Sequence, residues 1–304
     1  MESIFIQKLG GVSLMQKEEN ISSFLKAIIT EDHEKGTIIF VISAFENVTR
    51  ILGNIVSFKK EGRPDKDFND LINKFQEIHF ERIESLISSS LSKGKAKSFV
   101  SHSILEIEDK IYNGIMTDQI HASILAKGEL CSSLIFHLFL LEQIHEKSLN
   151  SCLLIDSRDW IIGEPGYLNV KPNLDKTLPN VRSRFNRLSE TIIVAQGYIC
   201  SNNSVMKYDS SDLTAAIFAL ALLEQRCIVR LTFWKNILGV MRDPKFFNEE
   251  IFTEMSIEEY LDFSEKYTVP VLSDAIELLS CNEWNLILRI RSFIDLKNEG
   301  TLIK

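Results

Sequence analysis

Two apolar, β-rich runs flank an amphipathic helical stretch at the start of the chain. Residues 3–7 form a short apolar run, residues 18–31 place apolar side chains at helical spacing, and residues 37–42 form an unbroken β-rich run. A strand that is apolar throughout is typical of one covered on both faces, as in a parallel sheet. Strand, helix and strand in this order therefore predict a parallel sheet with helices packed against it.

The same alternation continues to the end of the chain. Residues 46–150 have mainly helical periodicity, with breaks predicted at residues 59–64 and 92–94. Further strands are predicted at residues 151–156, 191–195, 227–233 and 286–290, and further helices at residues 211–225 and 256–266. Ser256 followed by Glu259 is a capping-box pattern for the last of these helices. The whole pattern predicts a three-layer αβα sandwich with a mainly parallel central sheet.

Length, composition and charge narrow the possible classes of protein. The 304 residues, 45% of them hydrophobic and 25% charged, suffice for one large core, so we predict a single domain over residues 1–304. The formal net charge of −8 argues against a nucleic-acid partner, because the phosphates of nucleic acids require a basic surface. A local basic pocket for a nucleotide remains compatible with this charge.

Targeting, membrane and metal signals are weak. The N-terminus lacks the basic start and apolar stretch of a signal peptide, and the longest apolar runs, residues 135–141 and 214–223, are about half of the ~20 residues needed to cross a bilayer. The five cysteines have no Cys-x-x-Cys spacing, which predicts reduced thiols in a cytoplasmic protein. His137 and His145 have no third ligand in register, so we predict no metal-binding histidine site.

The strongest local signal is the loop that follows the first strand. This strand ends in Lys8-Leu9-Gly10-Gly11-Val12-Ser13. Glycines after a parallel strand allow backbone N–H groups to approach phosphate oxygens closely, and an adjacent lysine can stabilise charge on a transferring phosphoryl group. A Gly-Gly pair after a strand is more often a tight turn, so this segment alone leaves both interpretations open.

Several segments of the N-terminal half resemble motifs of the aspartokinases in order and spacing. Residues 8–13 are similar to the family's Lys-Phe-Gly-Gly-Thr-Ser, and residues 128–132 are similar to its Gly-Glu-Leu-x-Ser. Residues 42–44 and 48–52 resemble Val-Ser-Ala followed by Val-Thr-x-Leu-Leu.

The resemblance continues through the C-terminal half. Residues 196–200 are similar to Gln-Gly-Phe-Ile-Gly, and residues 211–215 to Ser-Asp-x-Thr-Ala. Residues 234–244 resemble Trp-Lys-Asp-Val-Asp-Gly-Val-x-Thr-x-Asp-Pro, and residues 300–303 resemble the end of the family's kinase domain. Ordered matches over nearly the whole chain identify it as similar to an aspartokinase catalytic domain.

This resemblance implies the amino-acid-kinase fold and a reaction. Aspartokinases transfer the γ-phosphoryl group of ATP, bound with Mg²⁺, to the side-chain carboxylate of L-aspartate, in the biosynthesis of lysine, threonine and methionine. The resemblance implies an amino-acid-binding lobe over about residues 1–190 and a nucleotide lobe over about residues 191–304. A homodimer is plausible, and the paired C-terminal ACT regulatory domains of the family are not expected, since the chain stops at Lys304.

Carried over by motif, the resemblance also implies roles for individual residues. Lys8 and Asp212 would be catalytic, with Lys8 stabilising the transferring group and Asp212 holding Lys8 or the nucleotide in place. The expected phosphate-binding residues are Gly10, Gly11, Ser13 and Ser211; the nucleotide-binding residues are Trp234, Lys235, Gly239 and Asp243; and the substrate-binding residues are Ser43, Thr49, Glu129 and Tyr198.

The departures from the family cluster on the nucleotide side. Where the family has Gly-Arg-Gly-Gly-Ser-Asp, Tyr208 replaces the arginine that binds the substrate carboxylate, and Asp209 adds a negative charge. Pro270 stands where a lysine normally reaches the nucleotide. Three hypotheses therefore stay open: a divergent aspartate kinase, a catalytically impaired relative that binds a ligand or a partner chain, and a kinase of the same fold with another small acceptor.

Overall fold

The central element of the fold is an eight-stranded sheet with helices on both faces. The computed structural model describes residues 3–32, 36–62, 64–145, 152–188, 191–223, 227–242, 250–280 and 285–304. The strands are β1 (Ser3–Leu9), β2 (Gly36–Ile42), β3 (Cys152–Leu154), β4 (Ile192–Gln196), β5 (Ile199–Cys200), β6 (Ser204–Val205), β7 (Ile228–Lys235), β8 (Glu254–Met255), β9 (Leu286–Ser292) and β10 (Thr301–Ile303). The predicted three-layer α/β sandwich is confirmed.

The strand order in the sheet is β3-β4-β2-β1-β7-β9-β10-β8. The first six strands in this order run parallel, β10 is antiparallel to β9, and β8 runs parallel to β10. The short strands β5 and β6 pair with each other as a separate antiparallel ribbon. A mainly parallel sheet of this kind must be covered on both faces, as the apolar strands predict.

The helices divide between the two faces of the sheet. They are α1 (Gly11–Leu14), α2 (Glu18–Asp32), α3 (Val48–Glu61), α4 (Asp65–Leu86), α5 (Ser90–Asn113), α6 (Asp118–Leu125), α7 (Lys127–His145), α8 (Leu174–Phe185), α9 (Ser211–Leu223), α10 (Ile257–Lys266) and α11 (Ser273–Glu277). Helices α2 to α7 contribute to one hydrophobic core, and α8 to α11 contribute to the other.

Side chains of the central strand alternate between these two cores. Phe5 and Leu9 of β1 face the core that contains α2 to α7, whereas Ile4 and Ile6 face the core that contains α8 to α11. This period of two is the geometry of a β-strand and explains why apolar residues on both sides of β1 are buried. All seven residues of β1 are buried.

The order of strands around β1 determines where a site can form. Its two parallel neighbours are β2, which follows it in sequence, and β7, which comes much later. The segments leaving the carboxyl ends of β1 and β2 therefore separate from those leaving β7 and β9, and a crevice opens between them. Ligands of open α/β sheets bind at such a topological switch point.

One predicted break between helices differs from the structure. The break predicted at residues 92–94 lies inside α5, and the actual break between α4 and α5 is at residues 87–89. A single glycine such as Gly94 costs a helix only about 1 kcal/mol, which packing of the other side chains offsets. Ser89 provides the helix start, because its side chain accepts a hydrogen bond from the Ser92 N–H at 3.4 Å.

The capping box predicted for α10 is confirmed. The Ser256 N–H donates to Glu259 Oε2 at 2.7 Å, and the Glu259 N–H donates to Ser256 Oγ at 3.0 Å. Two backbone donors that have no partner within the helix are thereby satisfied.

Among the described residues, one helical segment, Asp118–Ile144, is 27 residues long and sufficient in length and hydropathy to cross a membrane. However, 78% of its most apolar window is buried within the protein, which is the pattern of a core helix. Among the described residues, Cys131, Cys152, Cys200 and Cys227 are thiols that form no disulfide bond, and Cys281 lies outside the described residues.

Candidate active site

A cleft of about 450 Å³ opens at the carboxyl ends of the central strands. It lies where the sheet topology places a crevice, beside the residues that follow β1, β2 and β7. Among the described residues it brings together twelve that the sequence predicted for the site: Lys8, Gly10, Gly11, Ser13, Ser43, Thr49, Glu129, Tyr198, Ser211, Asp212, Trp234 and Lys235.

The most strongly charged part of the cleft is a carboxylate bound by two lysines. The Lys8 Nζ lies 2.7 Å from Asp212 Oδ1, and the Lys235 Nζ lies 3.0 Å from Asp212 Oδ2. Asp212 also accepts a hydrogen bond from the Leu272 N–H at 3.3 Å. The side chains of Lys8 and Asp212 are both only 6% exposed. We call Lys8, Asp212 and Lys235 the charged triad.

The positions of the triad follow from the local structure. Lys8 is the penultimate residue of β1 and Lys235 is the last residue of the neighbouring strand β7. Asp212 lies in the first turn of α9, where a negative charge also interacts favourably with the helix dipole. The strands deliver two ammonium groups to the same edge of the sheet, and the helix places the carboxylate between them.

Charge pairing inside the triad shifts the ionisation of its members. Burial by itself raises the pKa of Asp212, but the positive charges of Lys8 and Lys235 outweigh burial and lower this pKa to about 2. Burial and the charge of Lys8 lower the pKa of Lys235 to about 8, against the opposing effect of Asp212. At neutral pH the triad therefore carries a net positive charge, shared by two lysines that one carboxylate holds in place.

The loop after β1 passes very close to the loop after β2. A Cβ atom on Gly11 would lie 2.6 Å from the Ala44 carbonyl oxygen and 2.8 Å from the Glu46 amide nitrogen. Only glycine therefore allows this approach. Ser13 links the same segment to β7, because its hydroxyl donates a hydrogen bond to the Trp234 carbonyl at 3.3 Å.

Opposite the triad, the cleft contains a buried carboxylate with an unpartnered oxygen. Glu129, in the first turn of α7, accepts a hydrogen bond from the Ala44 N–H at 3.4 Å through Oε1. Its other oxygen, Oε2, is buried and has no hydrogen-bond partner. Burial raises the pKa of Glu129 to about 8, despite the lowering effect of hydrogen bonds and of Lys8. The carboxyl group is thus protonated over much of the neutral range until a cation compensates it.

Ser43, Thr49 and Tyr198 lie around Glu129 in the same part of the cleft. The carbonyl of Ser43 accepts a hydrogen bond from Ser132 Oγ at 2.7 Å, which links the end of β2 to α7. Tyr198 has a backbone φ of 67°, and its N–H donates to Thr214 Oγ1 at 3.1 Å. Burial raises the pKa of Tyr198 further above its ordinary value, so the phenol stays protonated.

Two further residues of the cleft stand at positions where the sequence differs from the aspartokinase motifs. Tyr208 is 52% exposed and Asp209, with a φ of 65°, lines the cleft beside it. The charge of Asp209 acts on both Glu129 and Lys235, raising the pKa of each group. The cleft therefore contains a negative charge that acts on both Lys235 and Glu129.

Two predicted nucleotide-binding residues are placed differently from the rest, and a third cannot be compared. The side chain of Trp234 is buried in the core, where its indole N–H donates to Gln7 Oε1 at 2.6 Å, so a ligand can reach mainly its backbone. Gly239 does not line the cleft; a Cβ there would lie 2.6 Å from Thr301 Oγ1, which makes it a packing position. Asp243 lies outside the described residues.

Sequence reasoning missed the bond between Lys235 and Asp212 and the contributions of Glu46, Asn236 and Val269 to the cleft. That Lys235 lies near Lys8 could have been predicted from the sequence, because the carboxyl ends of parallel strands meet at one edge of a sheet. Within the described part of the chain, no group of three or more histidine, cysteine, aspartate or glutamate residues is arranged to hold a metal ion.

The sequence matches the profile described as the Amino acid kinase family over residues 3–287. A search of the curated proteins finds no match.

The fold is shared with solved kinase structures. Aspartokinase III of E. coli, solved with lysine and aspartate and also with aspartate and ADP, has a TM-score of 0.80 and 18% identity, covering 99% of this chain and 64% of that chain. The aspartate kinase of Clostridium acetobutylicum has a TM-score of 0.70 and 17% identity, and the match covers 99% of this chain and 62% of that chain. The carbamate kinase of Giardia lamblia bound to AMP-PNP has a TM-score of 0.55 and 9% identity, and the match covers 99% of this chain and 98% of that chain. The chain thus spans less than two thirds of the length of these two aspartokinases.

Proposed function

The chain belongs to the amino acid kinase family, and on this premise we propose that it is an ATP-dependent phosphotransferase whose acceptor is the side-chain carboxylate of L-aspartate. In this proposal a lobe of about residues 1–190 binds the amino acid and a lobe of about residues 191–304 binds the nucleotide, within a single cytoplasmic domain. Lys8, Gly10 and Gly11 of the first lobe contact the phosphates at the cleft between the lobes.

The charged triad is the observation that carries the proposal. Phosphoryl transfer requires positioning and the stabilisation of negative charge on the transferring group rather than a covalent intermediate. Lys8 and Lys235 supply two ammonium groups within one cleft, and Asp212 fixes both at 2.7 and 3.0 Å. Lysines held in advance in this way need little rearrangement when charge develops in the transition state.

The residues around the triad fit the phosphates of a nucleotide. Ser211 and Asp212 begin α9, whose N-terminal N–H groups and dipole favour an anion. Gly10 and Gly11 line the same part of the cleft and leave room for close approach to their backbone. Val269, Pro270 and Leu272 provide an apolar wall next to the triad, which suits the base or ribose of ATP.

Mg²⁺ fits this cleft only in combination with the nucleotide. Protein sites hold Mg²⁺ by one or two carboxylates together with substrate phosphates. Asp209 lines the cleft, whereas Asp212 is already bound to two lysines, so we assign Asp209 to the metal side. The ion would neutralise part of the charge on the β- and γ-phosphates.

Glu129 supports an acceptor that carries an ammonium group. Its Oε2 atom is buried without a partner and lies at the cleft, so a bound ammonium would satisfy it. Ser43 and Thr49 line the same region and can donate hydroxyl hydrogen bonds to a carboxylate. An oxygen of the acceptor carboxylate would attack the γ-phosphorus, the bond to the bridging oxygen of ADP would break, and an acyl phosphate would form without net proton transfer.

Trapping the acyl phosphate with hydroxylamine tests the proposal. Wild-type protein with MgATP and L-aspartate is expected to release ADP and form aspartyl hydroxamate. Lys8→Ala should lower the rate by about 10²-fold or more, because it removes a charge that stabilises the transition state. Lys207→Ala is the matched control, since Lys207 is exposed and does not line the cleft. Release of ADP that is unaffected by Lys8→Ala would contradict the assignment.

Tyr208 and Asp209 favour a second candidate function, that of a ligand-binding protein without turnover. Asp209 places a carboxylate in the cleft, and Tyr208 supplies no cation for an acceptor carboxylate. In that case L-aspartate or a nucleotide would raise the melting temperature, but no hydroxamate would form. A ligand at a hundred times its dissociation constant stabilises by about 2.7 kcal/mol, which such a titration resolves.

A further inference from the structure

The cleft of the candidate active site adjoins a second groove, between α3 and α4. This groove has a volume of about 420 Å³, and Asn47 lines both the groove and the cleft. The groove also contains two cationic side chains, Arg50 of α3 and Lys74 of α4. Because the groove and the cleft share Asn47, a side chain beside Asn47 lies next to a ligand in the cleft.

Arg50 is the cationic side chain beside Asn47. It directly follows Thr49, which lines the cleft, and it comes three residues after Asn47, a spacing that brings two side chains together at a helix. The Arg50 Nη2 donates a hydrogen bond to Asn47 Oδ1 at 3.0 Å. Within the described part of the chain, Arg50 has no other hydrogen bond and no ion pair. Most of the N–H donors of this guanidinium are therefore open to a ligand.

The start of α3 favours an anion in the same part of the cleft. Asn47 precedes the helix in a left-handed conformation, with a φ of 67°, which asparagine tolerates better than most residues. Its side chain makes no capping hydrogen bond and binds Arg50 instead. The first turn of α3 contains no acidic residue, so the positive end of the helix dipole is not compensated there. An anion beside Asn47 and Thr49 would therefore meet the helix N-terminus and Arg50 together.

The charge of Arg50 reaches a second residue of the cleft, Tyr208. Burial raises the pKa of Tyr208, and Asp209 and Glu129 raise it further, whereas the charge of Arg50 opposes this shift. Tyr208 lines the cleft. The guanidinium therefore lies close enough to the cleft for its charge to act inside it.

An α-amino acid in the cleft needs a cation that the cleft walls do not provide. Its ammonium group would satisfy Glu129 Oε2, which is buried without a partner. Its α-carboxylate is attached to the same carbon atom as the ammonium group. Among the described residues, the cationic side chains that line the cleft are Lys8 and Lys235, and both are bound to Asp212. Arg50 is the cation at the edge of the cleft that has no carboxylate partner among the described residues.

We propose that Arg50 binds the α-carboxylate of the acceptor and so makes the site selective for α-amino acids. This inference rests on the proposed function for the class of acceptor. Arg50 is exposed, so its side chain can turn from Asn47 towards the cleft without breaking buried contacts. Its planar guanidinium can donate two parallel hydrogen bonds to one carboxylate. With the ammonium on Glu129 and the α-carboxylate on Arg50, the side-chain carboxylate of the acceptor is left to face the charged triad.

Removing the charge from each partner in turn tests this contact. Arg50→Ala should weaken the binding of L-aspartate about tenfold, as measured by calorimetry, because it removes charge-assisted hydrogen bonds. The α-amide of L-aspartate lacks only the charge of the α-carboxylate, and it should bind the wild-type protein about tenfold more weakly than L-aspartate does. It should bind Arg50→Ala and the wild type equally. Equal weakening of both ligands by Arg50→Ala would overturn the proposal, since Arg50 would then not act on the α-carboxylate.

Two exposed lysines provide matched controls. Lys74→Ala removes a positive charge from the same groove, and Lys207→Ala removes one from the residue before Tyr208. Both variants should keep the affinity for L-aspartate within about twofold of wild type, because exposed charges away from the ligand are screened by salt. Arg50→Lys should weaken binding less than Arg50→Ala, since it retains the charge but not the two parallel hydrogen bonds. Weakened binding by Lys207→Ala, with Arg50→Ala unchanged, would assign the α-carboxylate to Lys207 and overturn the proposal.

Binding and turnover together separate this inference from the proposed function. If wild type binds L-aspartate with this dependence on Arg50 but forms no hydroxamate, the inference holds and the assignment as a phosphotransferase fails. If hydroxamate forms and Arg50→Ala leaves the KM for L-aspartate unchanged, the assignment holds and the inference fails. Absence of L-aspartate binding to wild type at about 10 mM, with and without MgATP, would contradict both.

Discussion

Asp212 is the residue on which the geometry of the cleft depends. Its carboxylate holds Lys8 and Lys235 side by side, and removal of its charge would leave two adjacent ammonium groups without compensation. Because the site is largely buried, we expect Asp212→Asn to lower the free energy of unfolding by about 3 kcal/mol at pH 7, as measured by urea denaturation.

The same pair of lysines predicts how this loss depends on pH. The pKa of Asp212 falls from 3.8 to about 2 on folding, so its contribution is present above pH 3.8 and disappears as the pH falls through 2. That shift corresponds to about 2 kcal/mol. The difference in the free energy of unfolding between wild type and Asp212→Asn should decrease as the pH falls from about 4 to 2. If the difference in the free energy of unfolding between the two proteins stayed constant over this range, the lysines would not be lowering the pKa of Asp212.

Glu129 predicts a pH dependence of the opposite sign. Burial raises its pKa from 4.5 to about 8, so folding favours the protonated carboxyl and the free energy of unfolding should decline as the pH rises from 4.5 to 8. An amino acid whose ammonium binds Glu129 needs the ionised form. The affinity for L-aspartate, measured by calorimetry, should therefore rise about tenfold per pH unit below pH 8.

Glu129→Gln provides the control for this titration. The amide cannot ionise, so the variant should bind L-aspartate weakly and with an affinity that does not change between pH 6 and pH 8. An affinity of the wild-type protein that stays flat over the same range would rule out Glu129 as the partner of the ammonium group.

At the scale of elements, the loop between β1 and α1 depends on one close approach. Gly11→Ala would place a Cβ 2.6 Å from the Ala44 carbonyl and 2.8 Å from the Glu46 nitrogen. Both are backbone atoms, so the loops after β1 and β2 would have to separate, and we expect a loss of about 1–3 kcal/mol in the free energy of unfolding.

Gly53→Ala is the matched substitution for this test. Gly53 lies within α3, and nothing is within 4 Å of its Cβ position. Alanine there should stabilise the protein by about 0.5–1 kcal/mol, because it favours the helix. Thermal unfolding of both variants should give shifts of the melting temperature of opposite sign. A higher melting temperature for Gly11→Ala would show that a Cβ at this position does not force the two loops apart.

The elements that the sequence predicted best are those with strong periodicity. The runs at β1, β2, β4, β7 and β9 are apolar because both faces of the sheet are covered, and their limits agree with the structure to within two residues. The boundary between α4 and α5 was misplaced, because a helix tolerates Gly94 when its other side chains are packed. Strand β8 is two residues long and has no pattern of its own.

For the whole molecule, sequence motifs predicted the fold more completely than the contacts in the site. The family profile spans residues 3–287, and the similarity to E. coli aspartokinase III reaches a TM-score of 0.80 at 18% identity. Motif order reports which strand ends meet at the cleft. It cannot report that Lys235 binds Asp212, that Trp234 turns its ring into the core, or that Gly239 packs against Thr301, since these depend on side-chain packing between distant segments.

The central claim is that the charged triad is a phosphate site, and calorimetric titration with MgATP tests it most directly. The wild-type protein and Lys207→Ala should bind with the same affinity, because Lys207 lies outside the cleft. Lys8→Ala should bind about 10–100-fold more weakly, as expected for loss of one charge-assisted contact in a buried site. Equal affinity of wild type and Lys8→Ala, or no heat of binding with wild type at millimolar MgATP, would contradict the account.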